Sequence, residues 1–306
     1  MRAKDVSLAT TVGSVSLASC VLTASGTAGH GAELADYGDL RDLGGIVTKS
    51  LSAIAWDGNA APRVAPAGVS MINAVGLAGP GVDAWRSHGL VELRSHGATV
   101  VGSIWGRTAE EFADAARAMQ GADIAAVEIN ASCPNLEARN AIFANSPEAT
   151  AELVRVSQVA GVPLWVKLTL TAPNIIDVAS AALEAGAEAL VIGNTLTGMV
   201  IDIESGRPVL GNGGGGVSGS PLHPIATRAI FDVRRALPDA PILGVGGVSS
   251  GRDAVAFFMA GANAVEVGTA GLANPRAPWR IQRELRRWMA QHNYATLNEI
   301  RGRAHG

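Results

Sequence analysis

This chain of 306 residues has only two cysteines, Cys20 and Cys133, and only three lysines, Lys4, Lys49 and Lys167. Two cysteines cannot supply the ligands of an iron–sulfur cluster, and they fit a reducing cytosol. No apolar run is long enough to span a bilayer. The six histidines, His30, His88, His96, His223, His292 and His305, show no metal-ligand spacing. A net charge of −3 provides no field for nucleic acid or an anionic membrane. Near the N-terminus, Arg2 and Lys4 precede a stretch ending in Leu17-Ala18-Ser19-Cys20, which mimics a lipoprotein leader. Ser7, Thr10, Thr11, Gly13, Ser14 and Ser16 interrupt what should be its apolar segment, so a short β-hairpin turning at Gly13-Ser14 is the expectation.

What is present is a regular alternation. Eight apolar runs, residues 20–24, 45–49, 99–105, 125–130, 164–169, 189–195, 242–247 and 264–269, read as strands buried on both faces. Helical patterns separate them. Ser146 caps a helix begun by Pro147 and Glu148, and Pro173 is expected to open another, with Ile175, Val178, Ala179 and Ala182 on one face. Eight such units in this length predict a single (β/α)8 TIM barrel domain over residues 1–306, with a doubly wound open sheet as the alternative. Two connections are long, 50–78 and 196–221. Both fall on the carboxyl face of the barrel, where sites are built, and both read as binding loops or lids.

The chemistry collects at strand ends. In a chain that otherwise uses arginine, Lys49 and Lys167 each close an apolar run, where a compact ammonium fits and a guanidinium fork does not. Asn130-Ala131-Ser132-Cys133-Pro134-Asn135 places a thiol between carboxamides at the end of a strand. Ser25, Asn73, Ser103, Asn194 and Thr195 add hydroxyls and amides. Singly these are cap or turn residues; together they outline a polar pocket for a flat heterocycle with amide edges and a carboxylate. Gly244-Val245-Gly246-Gly247 and Gly268-Thr269 end the last two strands, the usual place for phosphate in barrels. Residues 211–216 formally match a dinucleotide fingerprint but join no strand to a helix, and read as a flexible glycine loop. Arg276, Arg280, Arg283, Arg286 and Arg287 read as a solvated helix face or a subunit contact. His223 reads as a surface histidine, with an anion contact as the functional option.

These residues, in this order, resemble the dihydroorotate dehydrogenases of the soluble, cysteine-dependent class 1. The likeness runs from Thr23-Ala24-Ser25-Gly26-Thr27 through Val47-Thr48-Lys49-Ser50, Asn73-Ala74-Val75-Gly76-Leu77, the Cys133 hexapeptide, Val166-Lys167-Leu168 and Gly193-Asn194-Thr195. It continues through Gly215-Gly216-Val217-Ser218-Gly219, Gly246-Gly247-Val248 and Val267-Gly268-Thr269. The stretch from Asn194 to Leu210 resembles subclass 1B, the NAD-linked type. The resemblance implies a cytoplasmic FMN flavoprotein that oxidises dihydroorotate to orotate in de novo pyrimidine synthesis. Cys133 would be the base at C5, with hydride leaving C6 for flavin N5. Ser25, Lys49, Ser50, Ser103, Asn130, Lys167, Gly193, Gly219, Gly246, Gly247, Gly268 and Thr269 would hold FMN. Lys49, Asn73, Gly76, Leu77, Asn135, Asn194 and Thr195 would hold dihydroorotate or orotate. A separate FAD and iron–sulfur subunit would carry electrons to NAD, around a homodimer core or in a heterotetramer; fumarate is the other acceptor of class 1.

The chain departs from the family pattern at several positions. Ser103 stands where asparagine is usual, Ala78-Gly79 where a glutamine–asparagine pair is usual, and His223 where lysine is common. Gly193 replaces a larger apolar residue. These changes motivate two further readings: a paralogue acting on another dihydropyrimidine or cyclic amide, and a non-catalytic flavin-binding subunit of a redox complex.

Overall fold

A computed structural model describes residues 1–132 and 143–306. The eight expected runs all become parallel strands of one closed barrel. In chain order they are Val21–Thr23, Gly45–Val47, Val100–Ile104, Ala126–Asn130, Leu164–Leu168, Ala189–Ile192, Ile242–Val245 and Ala264–Val267. Each pairs with the next, and the eighth pairs with the first through Glu266 and Leu22. Closure leaves no sheet edge, which rules out the open doubly wound sheet.

Side chains alternate along each strand, so every second residue enters the barrel. Leu22, Val47, Val101, Ala126, Trp165, Ala189, Val191, Leu243 and Ala264 form this inner core. Ile46, Val100, Ile129, Val166, Leu190 and Val265 point the other way, into the layer beneath the helices. The expected hairpin is present as Thr10–Val12 and Val15–Leu17. Its Val12, Val15 and Leu17 join the inner core while Thr11 and Ser16 face solvent. Thr11 and Ser16, two of the residues that spoil a leader, thus lie on the outer face of a strand pair plugging the amino end of the barrel. Gly13 makes the turn at φ 59°, pressed so closely on Glu188 that a Cβ would collide with it.

Helices cover the barrel, and one of them begins at the cap expected for it. Ser146 accepts from the Ala149 amide to start Pro147–Ser157. Ser250 and Asp253 form a reciprocal capping box on Gly251–Ala260. One boundary differs: Asn174, not Pro173, starts the next helix, because its side chain accepts from the Asp177 amide and leaves Pro173 outside. The helix Ala277–Gln291 buries Trp279, Ile281, Leu285 and Met289.

The two long connections are not loose lids. They contribute Val64–Ala67, Ser70–Asn73, Leu196–Gly198 and Gly215–Ser218 to a four-stranded antiparallel sheet. This corrects the reading of 211–216 as a flexible loop, because its last two residues, Gly215 and Gly216, begin a strand. Gly215 and Gly216 are needed there: a Cβ on Gly216 would collide with the Thr195 side chain, and one on Gly215 with the Asn73 backbone.

Candidate active site

Seven strand ends and the small sheet enclose one cavity of about 520 Å³ at the carboxyl end of the barrel. That is within the roughly 300–1,000 Å³ typical of small-molecule sites. Lys49, Asn73, Gly76, Leu77, Asn194 and Thr195, expected around substrate, all line it. So do Ser25, Ser50, Asn130, Lys167, Gly193, Gly219, Gly246, Gly247, Gly268 and Thr269, expected around a cofactor. Cys133 and Asn135 lie outside the described residues. Ser103 is described, is fully buried, and does not line the cavity. It lies one layer below, where its short side chain bridges Ser50 and Glu128.

One end of the cavity is bare backbone. Gly219, Gly246 and Gly247 have φ of 109°, 129° and 75°, conformations that L side chains rarely adopt. A Cβ on Gly247 would stand 2.6 Å from the His223 amide nitrogen and 2.9 Å from the Gly219 carbonyl. Thr269 donates from its hydroxyl to Ser218 at 2.8 Å beside them. This cradle suits a phosphate, which needs close approach to N–H groups. Arg280 also lines the cavity, held by the Ser249 carbonyl at 2.9 Å and by Glu284. Reading all five late arginines as a solvated face was therefore wrong for Arg280, because the helix turns one arginine toward the rim. The His223 ring is stacked on Phe257, with Nε2 3.1 Å from the Asp253 carbonyl, so its side chain is occupied away from the cradle. The Gly193 departure has a packing reason: a Cβ there would collide with the Leu170 side chain.

The floor is charged. Lys167 projects inward from the fifth strand and is almost completely buried. Its Nζ lies 3.1 Å from Ser25 Oγ, 3.3 Å from Glu266 and 3.7 Å from Glu128. Both carboxylates are fully buried inside the barrel. Burial alone would lower the lysine's pKa; the two carboxylates outweigh it and hold the ammonium charged above its ordinary range. Burial pushes Glu266 up to about 8, against the pull of Lys167. Neither glutamate was singled out from the sequence. The available signal was an acid inside an apolar strand, Val127-Glu128-Ile129 and Val265-Glu266-Val267, at the same inward parity as Asn130 and Ala264.

A directional hydrogen-bond chain joins floor to wall. Asn130 Nδ2 donates to Ser50 Oγ at 3.0 Å, Ser50 bonds Ser103 at 2.9 Å, and Ser103 donates to Glu128 at 2.9 Å. Since Ser103 donates to the carboxylate, Ser50 is the donor between the hydroxyls. On the other side, Asn194 Nδ2 donates to Ser132 Oγ at 2.9 Å and its Oδ1 accepts from the Thr195 amide at 2.7 Å. Buried Ser132 is thus anchored where the chain enters residue 133.

Fold and site together define a class: a (β/α)8 barrel whose carboxyl rim pairs a glycine phosphate cradle with a buried ammonium and convergent carboxamides, the equipment for a phosphorylated aromatic cofactor beside a small polar ring. The family model for dihydroorotate dehydrogenase matches residues 7–289. The chain is 40% identical over 304 residues to the dihydroorotate dehydrogenase B (NAD(+)) catalytic subunit of Geobacter sp. (strain M21), covering 99% of each chain. It is 40% identical over 298 residues to the same-named protein of Alkaliphilus metalliredigens, covering 97% of this chain and 98% of that one. The protein of that name from Desulforudis audaxviator is 41% identical over 302 residues, 98% of each. This chain belongs to the dihydroorotate dehydrogenase family, and its relatives carry the B-type, NAD-linked names that the 194–210 stretch led us to expect.

Proposed function

We propose that this chain is the catalytic subunit of an NAD-linked dihydroorotate dehydrogenase, a single FMN-binding barrel that oxidises dihydroorotate to orotate in cytoplasmic pyrimidine synthesis. One observation carries the reading: Lys49, Lys167, three asparagines and the glycine cradle, scattered over more than 200 residues, line one 520 Å³ cavity. FMN fits the donor set. Its phosphate suits Gly219, Gly246, Gly247, Gly268 and Thr269, and the polar edge of its ring suits Ser25, Lys49, Ser50, Asn130, Gly193 and Lys167. When bound, FMN supplies the two-electron acceptor for the C6 hydride.

The protein's own part is placement and proton transfer. Asn73, Asn194, Thr195, Asn135 and Lys49 would hold the substrate's amide edges and carboxylate, with Gly76 and Leu77 shaping the wall. Cys133 would take the C5 proton, help of a kind worth about 10²–10⁴-fold in rate. Lys167 would face the pyrimidine edge of the flavin as a preorganised positive charge. Among the described residues no cluster of three or more His, Cys, Asp or Glu could hold a metal, and no helix is long and apolar enough to cross a membrane. The B-type, NAD-linked catalytic-subunit names of its relatives support a route in which electrons would leave for NAD through a separate FAD and iron–sulfur subunit, in a complex of two catalytic and two electron-transfer chains. A paralogue with another substrate loses its motivation, since Ala78, Gly79 and Ser103 do not line the cavity.

The direct test is anaerobic mixing of the purified yellow protein with dihydroorotate. Prompt bleaching of the flavin is the expected result; a flavin that dithionite reduces but dihydroorotate does not would refute the substrate. Gly247→Ala probes the cradle. Its methyl meets backbone, and its φ of 75° disfavours any side chain, so FMN affinity should fall at least about tenfold, the equivalent of roughly 1.4 kcal/mol. An unchanged FMN dissociation constant would remove the phosphate from this end of the cavity.

A further inference from the structure

Lys167 faces two carboxylates, and no other cation reaches them among the described residues. Glu128, Lys167 and Glu266 come from the fourth, fifth and eighth strands, each pointing into the barrel. Leu22 and Val245, the register partners of Glu266 on the flanking strands, carry no charge. Outside the barrel, the helix Gly251–Ala260 brings Arg252 and Asp253, of which Asp253 is engaged by Ser249 and Ser250 at its own cap. Only Lys167 and Glu128 act on the Glu266 carboxyl. One Glu266 oxygen and one Glu128 oxygen find no hydrogen-bond donor among the described residues. Fully ionised, the cluster would bury an excess negative charge with two orphaned acceptors, which is costly in a low-dielectric interior.

We propose that Glu266 carries the proton that neutralises this cluster, and that it is a positioning residue which exchanges that proton in step with the charge on the flavin, acting through Lys167. The inference deepens the FMN reading and rests on it. A protonated Glu266 donates to the neighbouring Glu128 and leaves the ammonium paired with a single charged carboxylate. The direction of the Glu266 shift agrees, since burial and the neighbouring Glu128 both favour its neutral form. Ser25 ties the cluster to the cavity, because it accepts from Lys167 and lines the pocket.

The step balances simply. With FMN held in the cavity, its two-electron reduction by dihydroorotate would add negative charge to the space that Lys167 lines. At a pH where Glu266 is ionised, its carboxylate then forms an O–H bond with a proton drawn from solvent. Lys167 keeps its proton throughout. Below about pH 7 the glutamate already holds the proton and nothing further is taken up, because its pKa lies near 8.

The test uses the FMN-loaded protein and Glu266→Gln, which keeps the shape and a hydrogen-bond donor but cannot ionise. Wild type should take up one additional proton per two-electron reduction above about pH 8, seen as a steeper dependence of the flavin midpoint potential on pH. The variant should lose this extra slope. Independently, pH-difference infrared spectra of the resting wild-type protein should show a protonated buried carboxyl that titrates near pH 8 and is missing from the variant. Superimposable potential–pH curves would overturn the proposal, and so would a wild-type spectrum with no such carboxyl. If the variant does not fold, the wild-type infrared titration decides. Failure of both proteins to bind FMN would instead sink the functional reading, and with it the coupling, even where the infrared band is present.

Discussion

Cys133→Ala should lower dihydroorotate turnover by about 10²–10⁴-fold while leaving FMN bound and reducible by dithionite. The oxidation removes two hydrogens from adjacent carbons, one as a proton and one as a hydride. A bound flavin would accept only the hydride, so the proton would need a base of this chain. A thiol with an ordinary pKa near 8.5 is a competent base once a neighbouring cation favours the thiolate, and Lys49 brings such a charge to the cavity. The chain reaches residue 133 from Ser132, which is buried and bonded by Asn194 on the substrate wall. Cys133→Ser should retain more activity than alanine at high pH, because a hydroxyl is a far weaker acid than a thiol and serves as base only with help. Steady-state kinetics against pH, with flavin absorbance as a check on loading, measures both. Unchanged kcat in the alanine variant would take the base role away from Cys133, and absence of turnover in the wild type would favour the reading as a non-catalytic flavin-binding subunit.

Lys167→Met should destabilise the protein by about 3–5 kcal/mol at pH 8, the usual consequence of removing one partner from a buried ion pair. Methionine fills the barrel but leaves Glu128 and Glu266, both fully buried, with no compensating cation among the described residues. The loss should shrink at pH 6, where the carboxyls escape by protonation. Glu266→Gln in the same background should recover part of the stability. Glu266 also sets a pH dependence of its own. Its folded pKa, about 8, lies above its ordinary value of 4.5, so the folded state binds the extra proton. Its contribution to stability is full below about pH 4.5 and is lost as pH rises through 8, at no more than about 1.4 kcal/mol per pH unit. Wild type should therefore lose stability relative to Glu266→Gln across that window. Urea unfolding midpoints at pH 6 and 8 test both statements, and a Lys167→Met midpoint equal to wild type at pH 8 would contradict the first.

The strands were legible because each is an apolar run closed by a polar or glycine residue, and the hairpin because its serines and valines alternate. Lys49 and Lys167 stood out against a background of arginine. Ser103 was legible as a polar residue on a strand, but not as a bridge one layer beneath the cavity. That depth depends on the stagger of neighbouring strands. Arg280 was hidden among five arginines of one helix, since only the docking angle decides which of them meets the rim. Gly215 and Gly216 resembled a loose turn; their role appears only against Asn73 and Thr195, residues far away in sequence.

By itself the sequence determined the eightfold strand–helix alternation, the face on which chemistry collects and most of the groups that line the cavity. Those properties follow from local periodicity, from where apolar runs stop, and from residue types placed at those stops. Only the tertiary structure decided that two acids from distant strands share one lysine beneath that cavity. An inward glutamate is legible from strand parity, but its neighbours across a barrel are set by closure and register. Whether a buried acid is neutral or charged depends on those neighbours.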